Sequence, residues 1–226
     1  YTDRPGGMAQ HDVTPAPQPP RATGSGSGWD LITLPQNLRP VLGEQLASSA
    51  DLVNSTLAVD YSTVASNAIY FEANVTGVSG ASNTSTLDFM ILSPISGESV
   101  RGGYSFRGDN TFVVDHSGVR GFNNTAFTGT PFTTMSALCT DGTWTLAGVV
   151  DRSVLKVFVD RGAASATALF FATQPLTMFT LATAQLPANI SVSVAVYAVE
   201  SAWKAEENGE GLVVGNVTTI TTRDKL

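Results

Sequence analysis

The chain has 226 residues and a mass of 23.6 kDa, enough for one large all-β domain or two small ones with a real core. Twelve Lys and Arg against nineteen Asp and Glu give a net charge of −7, and an acidic chain without a basic stripe argues against nucleic-acid binding. No run approaches the roughly 18 consecutive apolar residues that span a bilayer, which excludes a membrane anchor.

Residues 1–30 hold Pro5, Pro15, Pro17, Pro19 and Pro20, then Gly24-Ser25-Gly26-Ser27-Gly28. So much proline and glycine disfavours helix and central strand alike, and the spacing predicts an extended linker. His11 and Asp12 within it show no metal-ligand spacing. Tyr1 opens in a polar stretch without a leader pattern, so a segment of a longer polypeptide is expected.

From Leu52 onward the pattern is alternation. Between Ala68 and Thr76, Ile69, Phe71, Ala73 and Val75 fall on one face, and Tyr70, Glu72, Asn74 and Thr76 on the other. Similar runs are expected near 86–92, 99–106, 111–114, 131–138, 144–150, 154–160, 166–172, 177–184, 191–199 and 213–220. Turn residues separate them, among them Ser79-Gly80, Ser96-Gly97, Gly102-Gly103, Gly108-Asp109-Asn110, Asp141-Gly142 and Asp160-Arg161-Gly162. Apart from one or two turns over Ser201–Asn208, no amphipathic helix is visible. The pattern predicts an all-β, two-sheet antiparallel sandwich of about twelve strands over 31–203, preceded by the linker. Residues 204–226 are expected to form a C-terminal extension with an extra strand.

Six Asn-x-Ser/Thr sequons, at Asn54, Asn74, Asn83, Asn123, Asn189 and Asn216, predict an N-glycosylated, secreted eukaryotic protein. The single cysteine, Cys139, has no intrachain partner and reads as a small buried residue.

Asp109, Asp115, Asp141, Asp151 and Asp160 stand at strand ends, where loops could pair two of them as in a glycosidase. Turn-forming aspartates beside glycine or asparagine account for Asp109 and Asp141 more simply. Neither His11 nor His116 has a nucleophile context, and no Gly-x-Ser-x-Gly elbow, phosphate loop or zinc spacing occurs. No cofactor or metal is expected. Trp29, Trp144 and Trp203 are candidate sugar-stacking platforms; Trp144 alternates with Leu146, Gly148 and Val150 and fits the core better.

The stretch Asp151-Arg152-Ser153-Val154-Leu155-Lys156-Val157-Phe158-Val159-Asp160-Arg161-Gly162 resembles the hallmark of the C-terminal β-sandwich of glycoside hydrolase family 32. That family comprises the invertases, inulinases and related fructosyl enzymes. Its motif residues here are Asp151, Arg152, Ser153, Leu155, Phe158 and Gly162, and their role is structural. Gly28-Trp29-Asp30-Leu31-Ile32-Thr33-Leu34-Pro35 is similar to the family's strand at the junction with the catalytic domain. Val196 to Trp203 is similar to its closing strand. Lys156 stands where Glu is usual, and Gln36 where Arg is usual.

The family's three catalytic carboxylate motifs are missing. The resemblance therefore implies the accessory sandwich of a secreted fungal β-fructofuranosidase whose upstream propeller cleaves sucrose and short fructans by a retaining mechanism. It also implies that the sandwich stabilises that propeller and supports dimerisation. The alternative is a free-standing carbohydrate-binding sandwich using Tyr70, Trp29 or Tyr104 as exposed platforms.

Overall fold

The computed structural model describes residues 38–106, 111–121, 132–135 and 142–200. The expected linker, Trp29, Trp203, Cys139, Asp109, Asp141, Asn123, Asn216 and the 213–220 strand lie outside the described residues.

Period-two burial is the main organiser. In β3 (Ala68–Thr76), Ile69, Phe71, Ala73 and Val75 are at most 1% exposed, whereas Asn74 and Thr76 face water. The same rule shapes β4 (Thr86–Leu92), β8 (Thr143–Asp151), β11 (Met178–Ala184) and β12 (Ser191–Val199). The remaining strands are β1 (Leu42–Ser49), β2 (Thr56–Asp60), β5 (Ser99–Ser105), β6 (Thr111–Gly118), β7 (Phe132–Met135), β9 (Val154–Val159) and β10 (Ala164–Leu169).

These twelve strands form two six-stranded antiparallel sheets, ordered β1-β12-β3-β8-β9-β10 and β2-β11-β4-β5-β6-β7. The domain is an all-β sandwich. β1 and β2 were not expected from the alternation. Both are edge strands; β1 carries two register shifts and buries no residue fully, so its pattern is blurred.

The sheets meet through aromatic rings. Phe71 of the first sheet lies 5.4 Å from Phe89 and 4.7 Å from Phe179 of the second, centroid to centroid. Each sheet makes room with a glycine opposite its ring, Gly148 paired with Phe71 and Gly102 with Phe89. A Cβ at Gly148 would lie 2.3 Å from Phe71 Cζ, and one at Gly102 would lie 2.5 Å from Phe89 Cζ.

The sandwich has two distinguishable ends. At the entry end the chain comes in through a 3-10 turn (Arg39–Val41) and leaves after β12, where Glu200 N donates to Val41 O at 2.7 Å. The register places the Arg152-Ser153 turn there, beside the loops 61–67 and 93–98, the segment 118–121, and the segment 170–177. The far end carries the loops 50–55, 77–85, 160–163 and 185–190.

Candidate functional site

The Asp151-Arg152-Ser153 motif forms the β8–β9 hairpin, with Asp151 paired to Val154 and only Arg152 and Ser153 between the strands. So short a connection needs left-handed backbone, and Arg152 has φ 51°. Its side chain projects into solvent and meets the Asp151 carboxylate at 3.3 Å, both groups more than half exposed. An exposed pair of this kind contributes little to stability. Ser153 O accepts from Phe170 N at 2.9 Å, which ties the hairpin to the segment after β10.

Along β9, Leu155, Val157 and Val159 are fully buried, while Lys156 and Phe158 share the outer face with the Lys156 ammonium 5.4 Å from the Phe158 ring centroid. At the strand's far end Asp160, Arg161 and Gly162 have φ of 47°, 55° and 83°, a left-handed run that turns the chain into β10. Gly162 N closes the turn on Val159 O at 3.1 Å. The motif residues are therefore a hairpin tip, a core strand and a turn.

Among the described residues the carboxylates do not assemble a catalytic pair. Asp151 and Asp160 stand at opposite ends of β9, about 20 Å apart at roughly 3.3 Å per residue. Asp115 lies on β6, where it accepts from Arg101 Nη2 at 2.8 Å and Ser117 N at 2.9 Å. Partial burial works against its charge, but the bonds from Ser117 and Arg101 outweigh it and hold the carboxyl below its ordinary range. His116 is half-buried on the same strand. Among the described residues no group of three His, Cys, Asp or Glu converges on a point that could hold a metal.

Two aromatic groups decide the sugar-platform question in part. Tyr104 is 1% exposed and stacks on fully buried Trp144 at 4.5 Å, with Phe106 closing the cluster. The expectation that Tyr104 is an exposed platform is thus wrong: its strand register points it between the sheets. Tyr70 is half-buried on the outer face of the first sheet, where it stacks on Tyr197 at 6.3 Å and its hydroxyl donates to Glu72 Oε2 at 3.0 Å. Burial and the adjacent Glu72 charge push the Tyr70 phenol well above its usual value.

The structure also contains a polar feature that the sequence did not signal. Glu98, at the entry end, is fully buried, and among the described residues no cation pairs with it. Its carboxylate accepts from Arg120 N at 2.6 Å, from Thr173 N at 3.0 Å and from the Thr173 hydroxyl. Burial disfavours the charge, yet these bonds and that of Ser96 dominate and hold the carboxyl down at about 2. The only cue was the neighbouring Ser96-Gly97 turn.

The four described sequon asparagines, Asn54, Asn74, Asn83 and Asn189, are exposed, and all lie at or next to the far end. Asn54 is distinct. With φ 50°, it accepts from Leu186 N through Oδ1 at 2.8 Å and donates to Leu186 O through Nδ2 at 2.9 Å.

Residues 40–198 match the family model described as "Glycosyl hydrolases family 32 C terminal", more than two thirds of the chain. The chain belongs to this family. Among solved structures, this family-32 C-terminal domain is similar to an exo-inulinase from Aspergillus awamori, with TM-score 0.64 and 18% identity over 79% of this chain and 34% of that one. It is similar to a β-fructofuranosidase from Schwanniomyces occidentalis with TM-score 0.63 and 14% identity, over 80% and 38% of the two chains. A sucrose-6-phosphate hydrolase from Lactobacillus gasseri matches with TM-score 0.53 and 15% identity, over 75% and 31%. At such identities the likeness establishes the sandwich fold, and the family-32 domain spans about a third of each of those chains. No curated protein sequence matches the chain. No helix among the described residues is long and apolar enough to cross a membrane.

Proposed function

We propose that this chain is the accessory C-terminal sandwich of a secreted, N-glycosylated fungal β-fructofuranosidase. In this reading residues 1–30 link it to an upstream catalytic propeller, 31–203 form the sandwich and 204–226 extend it. The propeller hydrolyses sucrose and short fructans by a retaining, two-carboxylate mechanism. The sandwich stabilises the propeller and supports a homodimer. The family match over residues 40–198 is the observation that carries the reading. It is supported by the two motif carboxylates, Asp151 and Asp160, standing at opposite ends of β9 rather than together.

The test is the intact mass of the native protein after deglycosylation, together with fructose release from sucrose and inulin. A mass well above 23.6 kDa, with upstream peptides on the same chain and fructose released, supports the reading. A mass near 23.6 kDa without hydrolysis refutes it. In that case the stacked Tyr70–Tyr197 pair with Glu72 on the outer sheet face favours a free-standing carbohydrate-binding module. Loss of fructan affinity in Tyr70→Ala then checks that alternative.

A further inference from the structure

On the outer face of the first sheet, two aromatic rings, a carboxylate and a sequon asparagine stand in one line. Tyr70, Glu72 and Asn74 are alternate residues of β3 and so project from the same face. The register sets Tyr197 beside Tyr70, Ala195 and Ala147 on either side of Glu72, and Ser193 and Thr145 on either side of Asn74. The small residues keep the surface low between the rings and the asparagine. The Tyr70 and Tyr197 rings lie 6.3 Å apart at 28°. That is near the upper end of the roughly 4.5–7 Å range for ring pairs, so neither ring covers the other fully. Tyr70 donates its hydroxyl to Glu72 Oε2 at 3.0 Å, which leaves Oε1 without a partner among the described residues. Every described strand belongs to one of the two sheets, so no described strand lies over this face.

We propose that this line is the seat of the chain's own N-glycan, attached at Asn74, whose first two N-acetylglucosamine rings lie back over Glu72 onto Tyr70 and Tyr197. The proposal rests on the secreted, N-glycosylated part of the functional reading above, and it adds the surface that holds the sugar. Three observations select this occupant. Asn74 is exposed and its side-chain amide makes no hydrogen bond among the described residues, whereas that of Asn54 is held by Leu186 through both atoms. At roughly 3.3 Å per residue, Glu72 stands about 7 Å and Tyr70 about 13 Å along the strand from Asn74, within the reach of two linked sugar rings. The chemistry is complementary as well: a sugar ring presents C–H groups that pack on an aromatic face, and hydroxyl and amide donors for a carboxylate oxygen. Asn83 and Asn189 lie in the loops 77–85 and 185–190 instead, off any strand face.

The experiment uses the full-length protein secreted from a eukaryotic host with its glycans intact. The native protein is treated with an endoglycosidase that cuts between the two core N-acetylglucosamine rings, and peptide mass follows release at Asn74 and at Asn83. Seating predicts release at Asn74 about tenfold slower than at Asn83, the scale of one ring contact and one hydrogen bond to a charged group. Tyr70→Leu and Tyr197→Leu each keep an apolar strand residue without a ring, and each is expected to bring Asn74 close to the Asn83 rate with its occupancy unchanged. Glu72→Gln, which alters the hydrogen bonding at constant volume, moves the rate in the same direction. Equal release at the two sites in the native wild type would overturn the proposal, as would an unmodified Asn74 beside a modified Asn83. Slow release that persists in all three variants would also overturn it, assigning the shielding to another part of the polypeptide. No glycan at any sequon would refute the glycosylated reading and the proposal with it. Fructose release from sucrose and inulin by the same preparation tests the catalytic reading separately, and its absence refutes that reading without moving the glycan.

Discussion

Glu98 is where the stability of the entry end depends on pH. It is a buried carboxylate held by donors from two other segments, Arg120 N at 2.6 Å and Thr173 N at 3.0 Å, plus the Thr173 hydroxyl. Hydrogen bonds to a charged group are worth roughly 1.5–3 kcal/mol each, and an unmade one leaves a buried donor at a cost of about 1–3 kcal/mol. Glu98→Gln keeps the shape but turns an NH2 toward at least one of these donors. We expect it to cost about 2–4 kcal/mol at pH 7, at most two such bonds together.

The sign with pH follows from the direction of the shift. The folded carboxyl, at about 2, lies below its ordinary value of 4.5. Its contribution is therefore complete above roughly pH 5 and declines as pH falls through 4.5 toward 2. Amide hydrogen exchange provides the local readout, comparing wild type and variant at the same pH. At pH 7 the amides of Arg120 and Thr173 are expected to exchange at least tenfold faster in Glu98→Gln, while far-end amides such as Gly77 and Leu186 are unchanged. At pH 2.5 most of the difference is expected to be lost. Equal exchange at pH 7, or a difference that stays constant down to pH 2.5, would refute the argument that an ionised Glu98 ties these segments together.

Other expectations follow from the same packing and hydrogen-bond geometry. Gly148→Ala places a methyl group 2.3 Å from Phe71 Cζ in a ring cluster with no room to yield; a loss of about 1–3 kcal/mol is expected in urea unfolding. The buried Tyr61 hydroxyl has no hydrogen-bond partner among the described residues. Tyr61→Phe is accordingly expected to be neutral or stabilising by up to about 1 kcal/mol, and a clear destabilisation would reveal a missed partner. At Asn54, the amide hydrogen that reaches Leu186 O lies on the Oδ1 side, because Oδ1 and Nδ2 together grip the N–H and C=O of one residue. A glycan would replace that hydrogen, since a substituted amide stays trans, so clamp and glycan exclude each other. Deglycosylation in heavy-oxygen water after passage through a eukaryotic secretory pathway is expected to mark Asn74 and Asn83 but not Asn54, and a marked Asn54 in folded protein would overturn the exclusion.

What the sequence revealed, and what it hid, divides along a physical line. Strands buried on one face and solvated on the other write their environment into every second residue, so β3 and the β8–β9 hairpin were legible, down to Leu155, Val157 and Val159 inside and the turn at Gly162. β1, with its register shifts and Gly43, keeps no clean alternation, and β2 alternates over only five residues, with Leu57 and Val59 inward, too short a run to stand out. Tyr104 was misplaced for a related reason. The Gly102-Gly103 pair before it reads as a turn, whereas both glycines sit in mid-strand, one beneath Phe89 and one beneath the Asp88 carboxylate. Once they are strand residues, Tyr104 is counted onto the inner face. Long-range polar bonds leave no local trace at all: Glu98 meets Thr173 75 residues away, and Asn54 meets Leu186 across 132. Such bonds join segments that only the folded topology makes neighbours. Those at Glu98 tie three segments of the entry end together, and the one at Asn54 withdraws from its sequon the hydrogen that a glycan would take.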